Sequence, residues 1–158
     1  GDIDVVGAAL AARDPTNADA YHHNAKAYIS KLEKLDATMR EQSKSFTHRD
    51  IITFHEAFPY LADAFGLRIV AVIEREPGSE PGARELADII DTVREAKVRA
   101  LFVEPQYPSA SADTIARETD AKIYTLDPVV SGPMDKDAYI RIMERNMETL
   151  ESALGATP

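Results

Sequence analysis

The sequence predicts an α/β protein with three layers: a four-stranded parallel sheet carrying helices on both faces, preceded by a long spine helix. Three observations support this prediction. Short β-branched segments alternate with longer amphipathic segments after residue 49, and one long amphipathic stretch precedes them. The 158 residues, 44% of them hydrophobic and 28% charged, have the composition of a globular domain with a single core. Strands separated by helices form right-handed crossovers, which make neighbouring strands parallel.

The amino-terminal part is predicted to be helical throughout. An apolar stretch at residues 3–12 predicts a short helix, which Pro15 closes because a proline disfavours helical geometry in the residue before it. Thr16 or Asn17 can cap a second helix that runs to about Lys44. The apolar residues of this helix recur in steps of four and three and form one narrow stripe: Tyr21, Ala25, Tyr28, Leu32, Leu35 and Met39. At ~1.5 Å per residue the helix would be on the order of 40 Å long, which is longer than a compact domain of this size usually needs. We therefore interpret it as a spine helix that lies along a body larger than this chain.

The first two strands enclose a short helix. Residues 50–54 are a short apolar run and predict the first strand. The helix that follows is predicted over residues 56–65, with Gly66 ending it in a left-handed conformation. In residues 68–73 (RIVAVI) the apolar, mostly β-branched residues are continuous rather than alternating, and this pattern predicts a strand buried on both faces.

Two more strands and three helices complete the predicted lobe. Pro81 suits the first position of a helix, because its missing N–H would be unpaired there in any case. Residues 99–104 predict the third strand and residues 121–126 the fourth, with a helix between them that reaches about Thr119. The last helix is predicted at residues 136–154, with its apolar residues on one side.

A polar side chain follows each predicted strand: His55, Glu74, Glu104 and Asp127. Ligands of open parallel sheets bind beyond the carboxyl ends of the strands, so all four could approach one edge. Histidine and carboxylate are the natural ligands for Zn²⁺ or Mn²⁺ in a chain without cysteine. Other interpretations stay open from the residues alone. A histidine at a strand end is often structural, Glu104 and Asp127 precede prolines and suit turns, and the charged neighbours of Glu74 indicate a solvated loop.

Several classes of function are excluded or unsupported. A net charge of −9 argues against a nucleic-acid surface, so no nucleic-acid partner is expected. The chain lacks the glycine-rich motifs of nucleotide sites, the GxSxG of a hydrolase nucleophile and the HExxH of zinc proteases. The tandem His22 and His23 point about 100° apart on a helix and are interpreted as surface residues, as is His48.

The residues also resemble a known family. The segment TFHEAFPYLADAFGL is similar to the His-Asp-Ala-Phe-x-Tyr segment of the zinc- and manganese-binding proteins of ABC importers. The resemblance continues in PGSEPGARELADII and in ALFVEPQYPSASADTIARETDAKIYTLDPV, where Phe-x-Glu-Pro-Gln and Leu-Asp-Pro follow in the family's order. Upstream, DPTNADAYHHNAKAYISKLEKLD is similar to the helix that joins the two lobes in that family. Glu56 stands where the family usually has Asp, and Pro59 where it usually has Gly.

The resemblance implies a solute-binding protein of the cluster A-I type, in which two lobes clamp a metal ion. His55 matches the ligand of the carboxyl-terminal lobe. Asp127 matches the fourth ligand of manganese-type members, whereas in zinc-type members this residue stays unbonded or holds a water. Glu104 matches a recurrent acid with a supporting role, orienting His55 or a loop. Residues 1–45 would then hold the short helix and the inter-lobe spine, and residues 46–158 the metal-binding lobe, with the amino-terminal lobe absent.

The expected function is therefore the extracytoplasmic solute-binding component of a divalent-metal ABC importer, with no enzymatic activity. Because His55 favours zinc, Zn²⁺ is expected over Mn²⁺, bound weakly by this chain and released as pH falls through ~6.5, where histidine ordinarily titrates. The expected partners are an ABC permease, the missing amino-terminal lobe, and a second copy through the exposed lobe-facing surface.

The expected location is periplasmic, or anchored outside the cell as a lipoprotein. Two alternatives are a surface adhesion module derived from the same family and a small doubly wound enzyme that uses His55 and Glu104 as acid and base.

Overall fold

The computed structural model describes residues 1–74, 80–107 and 110–155. These residues form two compact units, the first of residues 1–38 and the second of the described residues from 39 onwards. The helices are α1 (Asp2–Arg13), α2 (Ala18–Ser43), α3 (Pro59–Phe65), α4 (Ala83–Ala96), α5 (Ala110–Glu118) and α6 (Ala138–Leu154), with a 3₁₀ turn at Pro15–Asn17. The strands are β1 (Asp50–Thr53), β2 (Arg68–Val72), β3 (Ala100–Val103) and β4 (Lys122–Thr125).

The first unit contains α1 and the start of the 26-residue helix α2, which is the predicted long helix. The two helices approach closely at Gly7, where an added Cβ atom would lie 3.1 Å from the Cβ of Ala25. At the junction the carboxylate of Asp14 accepts hydrogen bonds from Asn17 Nδ2 at 2.7 Å and from Tyr21 Oη at 3.0 Å. These two donors, the amide of Asn17 first, hold the pKa of Asp14 below its ordinary value.

The second unit contains a four-stranded sheet in the order β2-β1-β3-β4, and each neighbouring pair is parallel. β1 and β3 are therefore central, and the side chains of β3 are buried along its whole length. The predicted burial of the second strand on both faces is wrong. Four of its five residues are half-buried and Arg68 is exposed, because β2 lies at an edge of the sheet and pairs only with β1.

Helices cover both faces of this sheet. α4 and α5 contact each other and share a buried cluster with one face, to which Ile52, Leu101 and Val103 contribute. Alternation along the strands places Ile51 and Phe102 on the opposite face, and α6 contacts β4 without contributing to the first cluster. The predicted fold class, a parallel α/β sheet between layers of helix after a long helix, is confirmed.

Three predicted helix starts lie too early. α6 begins at Ala138 and not at residue 136. α3 begins at Pro59 and not at residue 56, because Pro59 disfavours a helical conformation in Phe58, whose φ is −120°. α4 begins at Ala83 after an extended Gly82, so Pro81 precedes the helix. Gly66 does end α3 in a left-handed conformation, with φ of 64°, as predicted. Among the described residues, no helix has the length and apolar character needed to cross a membrane.

Candidate metal centre

The carboxyl ends of β1, β2 and β3 meet at one edge of the sheet because β1 lies between the other two strands. The backbone pairing continues past the strand ends: Glu74 N–H donates to Phe54 O at 2.8 Å, and Phe54 N–H donates to Phe102 O at 2.8 Å. The residues that follow these strands are thereby fixed by the sheet. His55, Glu74 and Glu104 meet here.

The imidazole of His55 is held in one orientation by a buried carboxylate. Its Nδ1 lies 2.7 Å from Oε1 of Glu104, and the two residues are 6% and 5% exposed. Because a carboxylate only accepts hydrogen bonds, Nδ1–H is the donor, and the neutral ring then carries its lone pair on Nε2. Tyr107 and Phe54 pack edge-on against the ring at centroid distances of 4.4 and 4.8 Å.

The other ring nitrogen faces a second acid. Nε2 of His55 is buried and has no hydrogen-bond partner, and Oε2 of Glu74 lies 3.6 Å from it. The interpretation of Glu74 as part of a solvated loop is therefore wrong, since this residue is 7% exposed. The charged run that suggested a loop, Arg75 and Glu76, lies outside the described residues. Glu74 itself is fixed by its backbone bond to the end of β1.

Asp127, which follows β4, is half-buried and is held by a different set of contacts. Its Oδ1 accepts a hydrogen bond from Val129 N–H at 2.8 Å. Its backbone N–H donates to Oδ1 of Asn146 at 2.9 Å, and Nδ2 of Asn146 donates to its carbonyl at 2.7 Å. Among the described contacts, none joins Asp127 to His55 or to Glu104. The structure brings together two of the three predicted site residues and places the third on a separate loop.

Asn146 was missed by the sequence reasoning. It is 4% exposed and lies on α6 beside Met147. A polar residue on the apolar stripe of an amphipathic helix is the signal that could have found it, because a buried amide needs partners.

The loops after β3 and β4 are joined by one further contact, in which Nε2 of Gln106 donates to Oγ of Ser131 at 2.9 Å. Over residues 1–74, 80–107 and 110–155, no group of three or more histidines, aspartates or glutamates is arranged to hold a metal ion. His22 and His23 are exposed, as predicted, whereas His48 is half-buried.

A histidine held by a carboxylate through one ring nitrogen, at the carboxyl edge of a parallel sheet, has the arrangement of a metal-ligating histidine. The family described as "Zinc-uptake complex component A periplasmic" (ZnuA) matches residues 3–153. The chain belongs to this family, and the resemblance found in the sequence is confirmed. The family consists of binding proteins, not enzymes, and includes metal ABC transporter substrate-binding lipoproteins.

Individual relatives agree with this assignment. The chain is 35% identical to the high-affinity zinc uptake system protein ZnuA of Bacillus subtilis over 153 residues, which are 94% of this chain and 48% of that protein. It is 32% identical to the zinc-binding lipoprotein AdcA of Streptococcus pneumoniae, covering 90% of this chain and 29% of that protein. The chain thus spans about half, or less, of the length of these relatives.

Solved structures show the same fold. The laminin-binding protein Lmb of Streptococcus agalactiae superposes with a TM-score of 0.83 at 32% identity, covering 94% of this chain and 58% of that one. FpvC of Pseudomonas aeruginosa, solved in complex with Mn²⁺, superposes with a TM-score of 0.81 at 33% identity, covering 96% and 57%.

Proposed function

We propose that this chain is the metal-holding carboxyl-terminal part of an extracytoplasmic solute-binding protein that supplies a divalent metal, zinc in preference to manganese, to an ABC importer. The observation that carries the proposal is Nε2 of His55, a buried nitrogen without a hydrogen-bond partner on a ring oriented by Glu104. A histidine that ligates a metal commonly donates its other N–H to a carboxylate, which fixes the tautomer and raises the basicity of the ligating nitrogen.

The residues of this centre have separate roles. His55 supplies the first ligand through Nε2, Glu104 orients and polarises its ring, and Asp127 supplies a carboxylate from the loop after β4. One oxygen of Asp127 receives the N–H of Val129, which leaves the other oxygen available to a cation. A neutral imidazole that binds through nitrogen favours zinc, whereas a site made only of oxygen ligands would favour manganese.

Zinc is also the metal named for the Bacillus and Streptococcus relatives. FpvC, in contrast, has been solved with Mn²⁺ and with Ni²⁺, so the fold accepts more than one divalent ion.

The affinity of this chain for zinc is expected to be weak. A tight zinc site is tetrahedral and closed by protein ligands, and His55 with Asp127 fills only part of that set. Water, or side chains of the rest of the binding protein, would complete the coordination. We therefore expect a dissociation constant of about micromolar or weaker.

The partners are proposed from the surface around this edge. Tyr60, in the first turn of α3, is 93% exposed, and Val130, on the loop after β4, is 77% exposed. We propose that these apolar side chains contact a further lobe of the binding protein or the permease when the ion is delivered, and that a second copy of the chain covers them otherwise. Comparing the sedimentation of the wild type with that of Tyr60→Ser and Val130→Ser tests the last point, since a dimer formed through this surface would dissociate in the variants.

A second candidate function, adhesion, is favoured by one observation. The neighbouring Lmb structure is described as that of a bifunctional protein with adhesin and metal-transporting activity. If this chain binds laminin in a surface assay and His55→Ala binds it equally well, adhesion is a separate property of the surface.

Isothermal titration with Zn²⁺ tests the metal proposal. The wild type is expected to bind about one ion weakly. His55→Ala is expected to lose detectable binding, because it removes Nε2 of His55, the one buried side-chain nitrogen without a hydrogen-bond partner among the described residues. His23→Ala is the matched control, since it removes an exposed imidazole and leaves the edge of the sheet intact. Nanomolar binding by this chain, or equal binding by wild type and His55→Ala, would contradict the proposal.

A further inference from the structure

Glu74 faces the metal-binding nitrogen of His55 from the end of the neighbouring strand. Its Oε2 lies 3.6 Å from Nε2 of His55, which is too long for a hydrogen bond. Both side chains are buried, at 7% and 8% exposure. The two side chains therefore face each other within a largely buried environment and are joined by no hydrogen bond.

This arrangement is unfavourable unless a positive charge lies between the two groups. Because Nδ1–H of His55 donates to Glu104, the neutral ring directs a lone pair from Nε2 towards the Glu74 carboxylate. Two electron-rich groups facing each other in a low-dielectric interior lose hydration without gaining a partner. The second carboxylate, that of Glu104, adds to the negative potential on the other side of the ring. A cation between Nε2 and Glu74 would resolve this conflict.

The distance fits a tetrahedral ion. Zinc binds histidine nitrogen and carboxylate oxygen at about 2.0–2.2 Å, so two such ligands at a tetrahedral angle lie about 3.4 Å apart. The observed separation of 3.6 Å differs from this by a few tenths of an ångström. The backbone already fixes both residues at the sheet edge through the bond from Glu74 N–H to Phe54 O, so a small rotation of the Glu74 side chain suffices.

We propose that Glu74 is a metal ligand, and that a divalent cation binds between Nε2 of His55 and Oε2 of Glu74 while Glu104 remains behind the ring. The inference rests on the proposed metal-binding function and adds to its ligands an acid that the sequence left open between this edge of the sheet and a solvated loop. It gives this lobe a pair of ligands just past the ends of the adjacent strands β1 and β2, in addition to the predicted ligand Asp127 on the loop after β4. The carboxylate of Glu74 also adds a hard oxygen ligand, the type that suits Mn²⁺. Mn²⁺ binding should therefore depend on Glu74 more strongly than Zn²⁺ binding does.

Substitutions at Glu74 test the proposal by titration with Zn²⁺ alone. Glu74→Gln is expected to weaken binding about tenfold or more, since loss even of an outer partner costs that much. Glu74→Asp keeps the charge but withdraws the carboxylate by one methylene, and it is expected to weaken binding nearly as much. Glu56→Gln is the matched control, because it removes an exposed carboxylate next to His55 in the chain.

The pattern across variants separates ligation from simple charge attraction. A loss in Glu74→Gln that is fully restored in Glu74→Asp would overturn ligation, because a distant charge would not feel the shorter side chain. X-ray absorption of the zinc-loaded chain gives a second readout: the carboxylate contribution to the first coordination shell should fall in Glu74→Gln and stay unchanged in Glu56→Gln.

The same titrations distinguish failure of the Glu74 proposal from failure of the proposed metal-binding function. If His55→Ala loses binding and both Glu74 variants bind like the wild type, Glu74 is no ligand while the proposed function stands. If His55→Ala binds normally, both are wrong. The alternative is that a proton on Nε2, and not a metal ion, lies between the two groups. Glu74→Gln would then change the free energy of unfolding but leave the Zn²⁺ affinity and the absorption spectrum unaltered. That result would also overturn the proposal.

Discussion

The carboxyl ends of β1 and β4 carry the two residues that the sequence predicts as metal ligands, and the structure treats them differently. His55, after β1, is buried and faces one carboxylate on either side, from Glu74 and Glu104. Asp127, after β4, is half-buried, and its backbone and side chain are occupied by Asn146 and by a turn to Val129. His55 is thus surrounded by ionisable side chains, whereas Asp127 is positioned by uncharged partners, a side-chain amide and a backbone N–H.

The difference follows from strand order. β1 has a neighbour on each side, so residues that follow β2 and β3 converge on the residue that follows β1. β4 is an edge strand with one neighbour, and its loop is instead fastened to α6 and, through Gln106 and Ser131, to the loop after β3. Residues from both neighbouring strands therefore approach the end of β1, whereas the loop after β4 is held by separate contacts with Asn146 and Gln106.

The largest effect is expected at the end of β1. Glu104→Gln removes the charge that holds the His55 ring and should lower Zn²⁺ affinity about 10- to 100-fold. Competition with a chromophoric chelator measures this change, and Glu118→Gln, an exposed acid on α5, serves as the control. If Glu104→Gln and Glu118→Gln bind alike, the carboxylate does not tune the ring.

At the end of β4 the anchor is Asn146. Asn146→Ala leaves the backbone N–H and carbonyl of Asp127 without partners and should lower the free energy of unfolding by about 2 kcal/mol. Urea denaturation measures the loss. Asn24→Ala, which truncates an exposed amide on α2, should show none. Equal stability of the two variants would mean that water replaces the amide without cost.

A smaller, stabilising change is expected at Val129. Its φ of 60° is left-handed, a conformation that a β-branched residue adopts with strain and that asparagine tolerates. Val129→Asn should raise the free energy of unfolding by about 1 kcal/mol in thermal or urea unfolding. Val130→Asn is the adjacent control, exposed and without positive φ. A loss of stability in Val129→Asn would show that side-chain packing outweighs the backbone strain.

The smallest effect is expected at the opposite end of β1. The guanidinium of Arg68 donates to Asp50 at 2.7 Å and lowers the pKa of that carboxyl. A lowered folded-state pKa contributes stability above the unfolded value of about 3.9, and this contribution is lost as pH falls through the folded value. The stability difference between wild type and Asp50→Asn should therefore be slight at neutral pH and vanish in acid. A difference that grows on acidification would contradict this ion pair.

The alternation of apolar segments predicts the fold because periodicity is a local property of the chain. Strand order is not local, which is why β2 was expected to be buried on both faces although it lies at an edge. The position of His55 at a strand end could be predicted from the sequence. For Glu74 the sequence left two interpretations open, the same sheet edge and a solvated loop, because its neighbours in the chain are charged. The backbone bond to Phe54, which no local pattern predicts, places Glu74 beside the ring.

Anomalous diffraction at the zinc edge from crystals of this chain soaked in Zn²⁺ tests the central claim most directly. The principal peak is expected within ligating distance, about 2.0–2.1 Å, of Nε2 of His55, on the side that faces Glu74. A principal peak at His22, His23 or His48, with none beside His55, would contradict it.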